Sequence, residues 1–273
     1  MFNNSNRTIL LALCLITVFF LVIPWCSKYD PLVISMTERL LPPSQIHWLG
    51  TDDLGRDLLS RVLHGIALTL TVSVVALLSS LFIGALLGAL AGYYYSRWPD
   101  RLFCWIADFL TSLPFLLVVA AILSVVGPGL VKAYAVLTAI MWTNPARIVR
   151  AEVIRTLLLD YVVAERAMGA PEWKILFVTV LPTCVDSAVL FSVGYLPEIV
   201  ALEAGLSFLG LGVQPPQPSL GKMIYDSVTY IGTASWVALS PATALFLIVL
   251  IIQGVAWAVG TRRSQVSLYQ WKN

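Results

Sequence analysis

The residues most able to do chemistry in this chain are acids that stand in or near long apolar runs. Four acids fit this description: Asp108, Asp186, Glu198 and Glu203. An ionisable side chain is costly inside a membrane, so such acids often line the route of a polar solute. Glu198 is our main candidate for this role, with pairing to a neighbouring helix as the alternative. Asp186 and Glu203 are further candidates that could equally lie in water near an interface, and Asp108 is expected to be a helix-packing partner or an interfacial acid.

Other kinds of chemistry lack the residues that they need. The chain has no GxxxxGK[ST] motif to cradle phosphates, because Pro216 stands where the first Gly would precede Gly221 and Lys222. It also has no HExxH motif, no nucleophile elbow and no carboxylate pair on one face. We expect His47 and His64 to be exposed surface residues rather than metal ligands. The sequence therefore predicts no catalytic residue, no metal site and no cofactor bound by this chain.

The composition indicates a protein that lives in a lipid bilayer. Of the 273 residues, 59% are hydrophobic and 12% are charged, whereas soluble domains average about 25% charged residues. A soluble protein of this composition would expose large apolar patches and aggregate. The net charge of +2 is too small to indicate a nucleic-acid partner. The four cysteines stand singly, without a CxxC pair, and are expected to be packing residues.

Six apolar runs predict an all-α, polytopic membrane protein. They cover residues 8–23, 66–91, 102–126, 131–142, about 175–201 and 236–259. We expect the first to be a retained span rather than a cleaved signal peptide, and the fourth to continue past the bilayer as a charged helix. Pro114 and Pro182 are expected to kink their helices, because Pro removes a backbone hydrogen bond. The Gly- and Pro-rich segment from Gly205 is expected to dip partly into the membrane.

The distribution of Lys and Arg predicts which side of the membrane each segment faces. With the N terminus inside, the inner segments hold 11 of these residues and the outer segments hold 6. This bias favours both termini in the cytoplasm. We divide the chain into an N-terminal span (residues 1–26), an outer segment with an amphipathic helix (27–65), a core of five spans (66–262) and a cytoplasmic tail (263–273).

Two local patterns predict how the second span packs and where its helix begins. Gly84, Gly88 and Gly92 fall on one helix face, and small residues at this spacing let two helices approach closely in lipid. Asp52 or Asp53 could be a metal ligand, but we expect one of them to cap the helix that leads into this span, since Asp is favoured where a helix starts.

The most highly charged stretch between long apolar runs covers residues 161–182. It predicts a short helix, a sharp turn at Gly169, and a second helix in which Pro171 suits the first turn. The small residues offer a surface that a partner can approach closely: Ala164, Ala167 and Ala170. The charged residues form a solvated rim: Glu165, Arg166, Glu172 and Lys174. A polar helix–turn–helix at a membrane surface suits the docking of another protein. An ordinary solvated connection between two spans is the alternative.

This stretch resembles the coupling loop of ABC importer permeases. In that family an E-A-A triplet is followed by Gly and later by Leu-Pro, and here Gly169 and Leu181-Pro182 have the same spacing. The triplet itself differs, because Val163 stands at the Glu position, Ala164 matches, and Glu165 replaces the last Ala.

Two further segments are similar to signatures of the peptide and nickel permeases. Residues 49–65 resemble the segment that precedes the second span in that family, and residues 205–224 resemble a later one. The three matches are in order and cover most of the chain from residue 49 onward. They identify the chain as similar to the second of the two paired permease subunits in the dipeptide, oligopeptide and nickel family.

The resemblance implies a type I importer fold with six transmembrane helices and a cytoplasmic coupling helix in the loop at about 147–176. It implies ATP-driven uptake of peptides, nickel or metal chelates across the bacterial inner membrane. The implied partners are a second permease subunit, two cytoplasmic ATP-binding subunits that use ATP and Mg²⁺, and an external solute-binding protein. The implied coupling residues are Ala164, Glu165, Arg166, Ala167, Gly169, Ala170, Pro171 and Pro182. A secondary carrier without ATPase subunits is the alternative, and it predicts inverted repeats, of which the sequence has no convincing sign.

Overall fold

The computed structural model of the protein describes residues 18, 20 and 22–270, apart from the side chains of 26, 185, 186, 190, 193 and 259–270. Most of the predicted first span, residues 8–23, therefore lies outside the described residues. Across the described ranges the chain is helical, and its only β-type pairing is a single bridge between Thr51 and Asp57. The prediction of a helical protein is confirmed.

Ten α-helices follow one another in this part of the chain. They are α1 (Leu58–Tyr93), α2 (Trp98–Ser112), α3 (Phe115–Val126), α4 (Leu130–Met141), α5 (Thr143–Thr156), α6 (Asp160–Ala167), α7 (Glu172–Lys174), α8 (Leu181–Phe208), α9 (Leu220–Ser227) and α10 (Ser235–Gln270). A π-helical segment, Ile175–Val180, joins α7 to α8.

Two of the described helices are long and apolar enough to cross a membrane by themselves: α1, and α10 over Ser235–Ala258. The number rises to four if α2 with α3, and Glu172–Val189 with Gly194–Phe208, each form one bent span. Pro114 lies between α2 and α3, where the helix axis turns by 89°. The predicted kink at this proline is confirmed, whereas the count of six spans stays a prediction.

The chain enters α1 at Leu58, so the predicted amphipathic helix and the second span are one continuous helix. Asp57 Oδ2 accepts the backbone N–H of Ser60 at 2.8 Å, which is the bond that a capping residue makes. The prediction that Asp52 or Asp53 caps this helix is therefore wrong. The sequence offered three aspartates close together, and only the folded segment decides which one lies at the first turn.

The segment before α1 folds back on itself and buries His47. Only 6% of this residue is exposed, and its Nδ1 lies 2.8 Å from Asp57 Oδ1. The prediction of an exposed surface histidine is therefore wrong for His47. Gly50 and Gly55 have φ angles of 80° and 72°, which favour glycine and permit the tight turns that bring His47 onto Asp57.

Contacts divide the chain into two compact units. The first contains Val75–Val119 and Ala135–Tyr195; the second contains Ala120–Tyr134 with the described residues of Arg7–Val74 and Leu196–Asn273. The predicted domain boundaries after residues 26, 65 and 262 stay predictions.

In the first unit, the backbones of α1 and α5 approach each other closely. A Cβ atom added to Gly84 would lie 2.8 Å from the carbonyl oxygen of the residue before α5, and one added to Gly92 would lie 2.8 Å from that of Arg150. Gly88 meets the carbonyl oxygen of Ala146 between them. The three glycines thus contact the backbone of successive turns of the same neighbouring helix. The predicted close approach of two helices is confirmed.

Candidate functional site

The predicted docking loop forms a helix, a turn and a second helical stretch. α6 ends at Ala167, and Gly169 has a φ of 83°, a backbone conformation that glycine adopts without a steric penalty. Pro171 stands at the N-cap of α7, one position earlier than predicted. We call residues 158–182 the coupling loop.

Apolar side chains on one side of the coupling loop attach it to the rest of the first unit. Val162 is the one fully buried residue of α6, and Ile175, Leu176 and Val180 of the π-helical segment are buried with it. They pack with α1, α5 and α8 through a shared cluster: Ala85, Ala89, Val149, Val153, Cys184 and Ala188. This cluster therefore connects α6 to the beginning of α8 through packed side chains.

Three polar contacts fix the loop further. Glu165 accepts a hydrogen bond from Thr179 Oγ1 at 2.8 Å, which joins α6 to the π-helical segment. Glu172 accepts a hydrogen bond from the hydroxyl of Tyr93 at the end of α1. The guanidinium of Arg166 pairs with Glu172 at 3.3 Å. Glu165, where the sequence departs from the family triplet, is therefore an internal anchor of the loop.

The opposite side of the coupling loop is apolar and open. Met168 is 81% exposed and Trp173 is 65% exposed, and Leu158, Tyr161 and Val163 are also exposed. Ala164 and Ala167 are also exposed, whereas Ala170, predicted to share this surface, is half-buried and packs against the cluster. Large exposed apolar side chains around small ones are typical of an interaction site, and aromatic residues and Met are enriched where proteins contact each other.

Helix α5, which supports the coupling loop, is tied to α2 by two ion pairs. Arg150 Nε and Nη2 lie 2.5 and 3.0 Å from the two carboxylate oxygens of Asp100. These hydrogen bonds raise the pKa of Arg150 above its usual range. Arg147 Nη2 lies 2.8 Å from Asp108 Oδ1. Asp108 is thus a partner of a neighbouring helix, one of the two roles that the sequence left open.

The three acids predicted to line a route all lie on α8, and the two whose side chains the structure describes have different surroundings. Glu198 is exposed, next to the buried Pro197. Glu203 is 3% exposed and accepts a hydrogen bond from Ser207 at 2.8 Å. The side chain of Asp186 is outside the description of the structure.

The sequence did not predict the partners of residues in the coupling loop and in α5. Tyr93, Thr179 and Asp100 had no signal of their own, because each meets a residue that is distant in the chain. Metal ligands do not gather anywhere in the described chain, where no three His, Cys, Asp or Glu residues could share an ion.

The family model for the inner membrane component of binding-protein-dependent transport systems matches residues 84–264. Similar proteins include a di/tripeptide transport system permease protein, DppC, of Pseudomonas aeruginosa, which is 38% identical over 89% of this chain and 82% of its own length. A glutathione transport system permease protein, GsiD, of Pectobacterium atrosepticum is 38% identical over 76% of this chain and 69% of its own length. An oligopeptide transport system permease protein, OppC, of Bacillus subtilis is 33% identical over 88% and 79%.

A solved structure of the MetNI methionine ABC transporter, in an inward-facing conformation, is also similar. It matches with a TM-score of 0.57 and 24% identity over 74% of this chain and 97% of that chain. At this identity the likeness shows the fold alone. The matched region contains Gly84, Gly88 and Gly92, the coupling loop and α8. This chain belongs to the family of inner membrane permease components of binding-protein-dependent ABC importers.

Proposed function

We propose that this permease is one of two paired subunits that form the pore of an ATP-driven importer of peptides. The names of the similar proteins support this substrate class, because they refer to di/tripeptides, glutathione and oligopeptides. Nickel or metal chelates are the alternative substrate class. An external solute-binding protein would deliver the substrate, and selection would rest largely with that protein.

The observation that carries the proposal is the coupling loop. One side of it is apolar and exposed, and the other side is held by the buried cluster and by hydrogen bonds. We propose that this open side docks into a groove of a cytoplasmic ATP-binding subunit. ATP and Mg²⁺ would be bound by that subunit, and this chain would catalyse no reaction. Ala164 and Ala167 would allow close approach, while Arg166 would lie at the rim.

Movement of the ATP-binding subunits would then be passed to the spans through the anchors of the loop. The bond from Thr179 to Glu165 and the buried cluster would make α6 and the π-helical segment move together. A π-helical turn is often found at functional sites. Here it precedes Pro182, which has no amide hydrogen to continue the α-helical pattern. ATP-driven closure of the ATP-binding subunits would thereby switch the pore from its inward-open to its outward-open form.

The topology that goes with this function has six spans and both termini in the cytoplasm. In it, residues 1–26 are the first span, 27–65 an external segment, 66–262 the core and 263–273 the tail. The excess of Lys and Arg in the proposed inner segments supports this orientation.

Cross-linking tests the docking proposal directly. We would introduce Ala164→Cys and Ala167→Cys in a chain without its native cysteines and react the assembled importer with a short bifunctional reagent. We expect a product with an ATP-binding subunit, because both positions are on the open side. Val162→Cys is the matched control, since it lies on the same helix but is fully buried. Equal labelling of all three positions, or of none in an intact complex, contradicts the proposal.

The route of the substrate is tested at Glu198, the exposed acid of α8. We propose that Glu198 lines the route, with Asp186 as a further candidate. Glu198→Gln is expected to lower peptide uptake by reconstituted importer while leaving assembly unchanged. Unchanged uptake removes Glu198 from the route. Uptake driven by an ion gradient in the absence of ATP-binding subunits would instead support the secondary carrier.

A further inference from the structure

Glu203 is a carboxylic acid in the interior of the second unit. It lies on α8 with 3% of its surface exposed. Ser207, one turn later, donates its hydroxyl hydrogen to Glu203 Oε1 at 2.8 Å. The side chain of Thr69 on α1 lies beside the same carboxyl group.

The loop between α8 and α9 is held against this turn of α8. Ser207 Oγ accepts the backbone N–H of Val213 at 3.3 Å. A Cβ atom on Gly212 would collide with the side chain of Ser207, and one on Gly221 would collide with the carbonyl oxygen of Ala204. The beginning of the loop and the first turn of α9 therefore both touch α8 within a few residues of Glu203.

The surroundings of Glu203 do not suit a negative charge. Neither α1 nor α8 places a Lys, Arg or His within ion-pair distance of its carboxyl group in the described structure; the groups that face it are the hydroxyls of Thr69 and Ser207. Glu203 Oε2 and Thr69 Oγ1 are both buried and make no hydrogen bond with any described residue. A buried carboxylate without a cation is strongly disfavoured, and so is a buried polar atom without a partner.

A proton on Glu203 Oε2 removes both problems. The carboxyl group becomes neutral, and Oε2 gains a hydrogen that it can donate to the hydroxyl of Thr69. We propose that Glu203 is held as a neutral carboxylic acid that fastens the loop of residues 209–219, through Ser207, to α1 and α8. Glu203 is then a positioning residue rather than part of the substrate route.

The charge state can be tested without any transport assay, so the test does not depend on the proposed function. Infrared spectra of the purified, assembled complex would be compared between wild type and Glu203→Gln at neutral pH. We expect the carbonyl band of a protonated carboxylic acid in wild type and its loss in E203Q. Glu38→Gln is the matched control, because the Glu38 side chain is 46% exposed and is expected to contribute no such band. If E203Q removes no carboxylic-acid band, Glu203 is charged and the proposal is wrong.

Uptake by the reconstituted importer tests the fastening role. A Gln is neutral and of the same size, so E203Q is expected to keep uptake within about twofold of wild type. Glu203→Ala removes the acceptor of the Ser207 hydroxyl hydrogen and the proposed donor to Thr69, and it is expected to lower uptake at least about fivefold, or to prevent assembly. An assembled E203Q complex that is as inactive as E203A shows that the negative charge is needed and overturns the proposal. An E203A complex with full uptake overturns the fastening role.

Discussion

Replacement of Gly88 by alanine tests the packing on which the first unit depends. A Cβ atom on Gly88 would lie 3.0 Å from both the carbonyl carbon and the Cα of Ala146, and closer still to its carbonyl oxygen. All three are backbone atoms of α5, so no side chain can move aside. Because Gly84 and Gly92 meet α5 on either side, the helices can separate only if all three contacts loosen.

Two opposing effects set the size of the change. Alanine favours a helix over glycine by roughly 0.5–1 kcal/mol. Overpacking of a close contact costs about 1–3 kcal/mol, and the rigid backbone neighbour places Gly88→Ala toward the upper end. We therefore expect a net loss of about 1–2 kcal/mol, which lowers the melting temperature by roughly 2–8 °C.

The assay is thermal unfolding of the purified complex in detergent, followed by the intrinsic fluorescence of tryptophan. Gly254→Ala is the matched control, because Gly254 also lies within a helix but has no atom within 4 Å of an added Cβ. G254A is expected to leave the melting temperature unchanged or raise it slightly. If G88A is as stable as G254A, α1 and α5 are not packed as closely as the structure shows, and the inference of close contact at Gly84, Gly88 and Gly92 is wrong.

Three further predictions concern the supports and the open side of the coupling loop. Asp100→Asn removes the charge that Arg150 contacts with two hydrogen bonds, which should cost about 1.5–3 kcal/mol of stability in the same unfolding assay; no change would contradict it. Thr179→Val removes the hydrogen-bond donor to Glu165, which should weaken the attachment of α6 to the π-helical segment by about 1 kcal/mol. We expect less peptide uptake per ATP hydrolysed. An unchanged ratio of uptake to hydrolysis would show that this bond transmits no movement. Met168→Glu places a charge on the open side and should leave the free energy of unfolding unchanged within about 0.5 kcal/mol. It should weaken binding of the ATP-binding subunit at least tenfold, or about 1.4 kcal/mol. Retention of tight binding would exclude Met168 from the interface.

Several features were predictable because they depend on local spacing alone. Glycines at four-residue steps share a helix face in any helix, so the close contact of α1 with another helix followed from their positions. Pro114 interrupts the backbone bonding of its helix wherever that helix packs. Gly169 in a polar stretch indicated a sharp turn, and its positive φ is the form that such a turn takes.

Other features could not be predicted because they depend on residues that are distant in the chain or on a choice among equivalent neighbours. Asp52, Asp53 and Asp57 are chemically the same, and the fold of the segment before α1 selects Asp57 as the cap. His47 lies in a polar stretch that gave no hint of burial, but the turns before α1 place it on Asp57.

The amino-acid sequence by itself determined that this protein is a helical membrane protein and an importer permease, because composition, apolar runs and short signatures are properties of the chain in order. It also determined where a docking loop would lie, since charge and a glycine turn mark it locally. Only the tertiary structure decided that Glu165 faces inward to Thr179, that Arg150 is held by Asp100, and that Glu203 is enclosed by hydroxyl groups. These contacts depend on which helix faces meet. The free energy of burying the side chains is shared among residues that no local pattern connects.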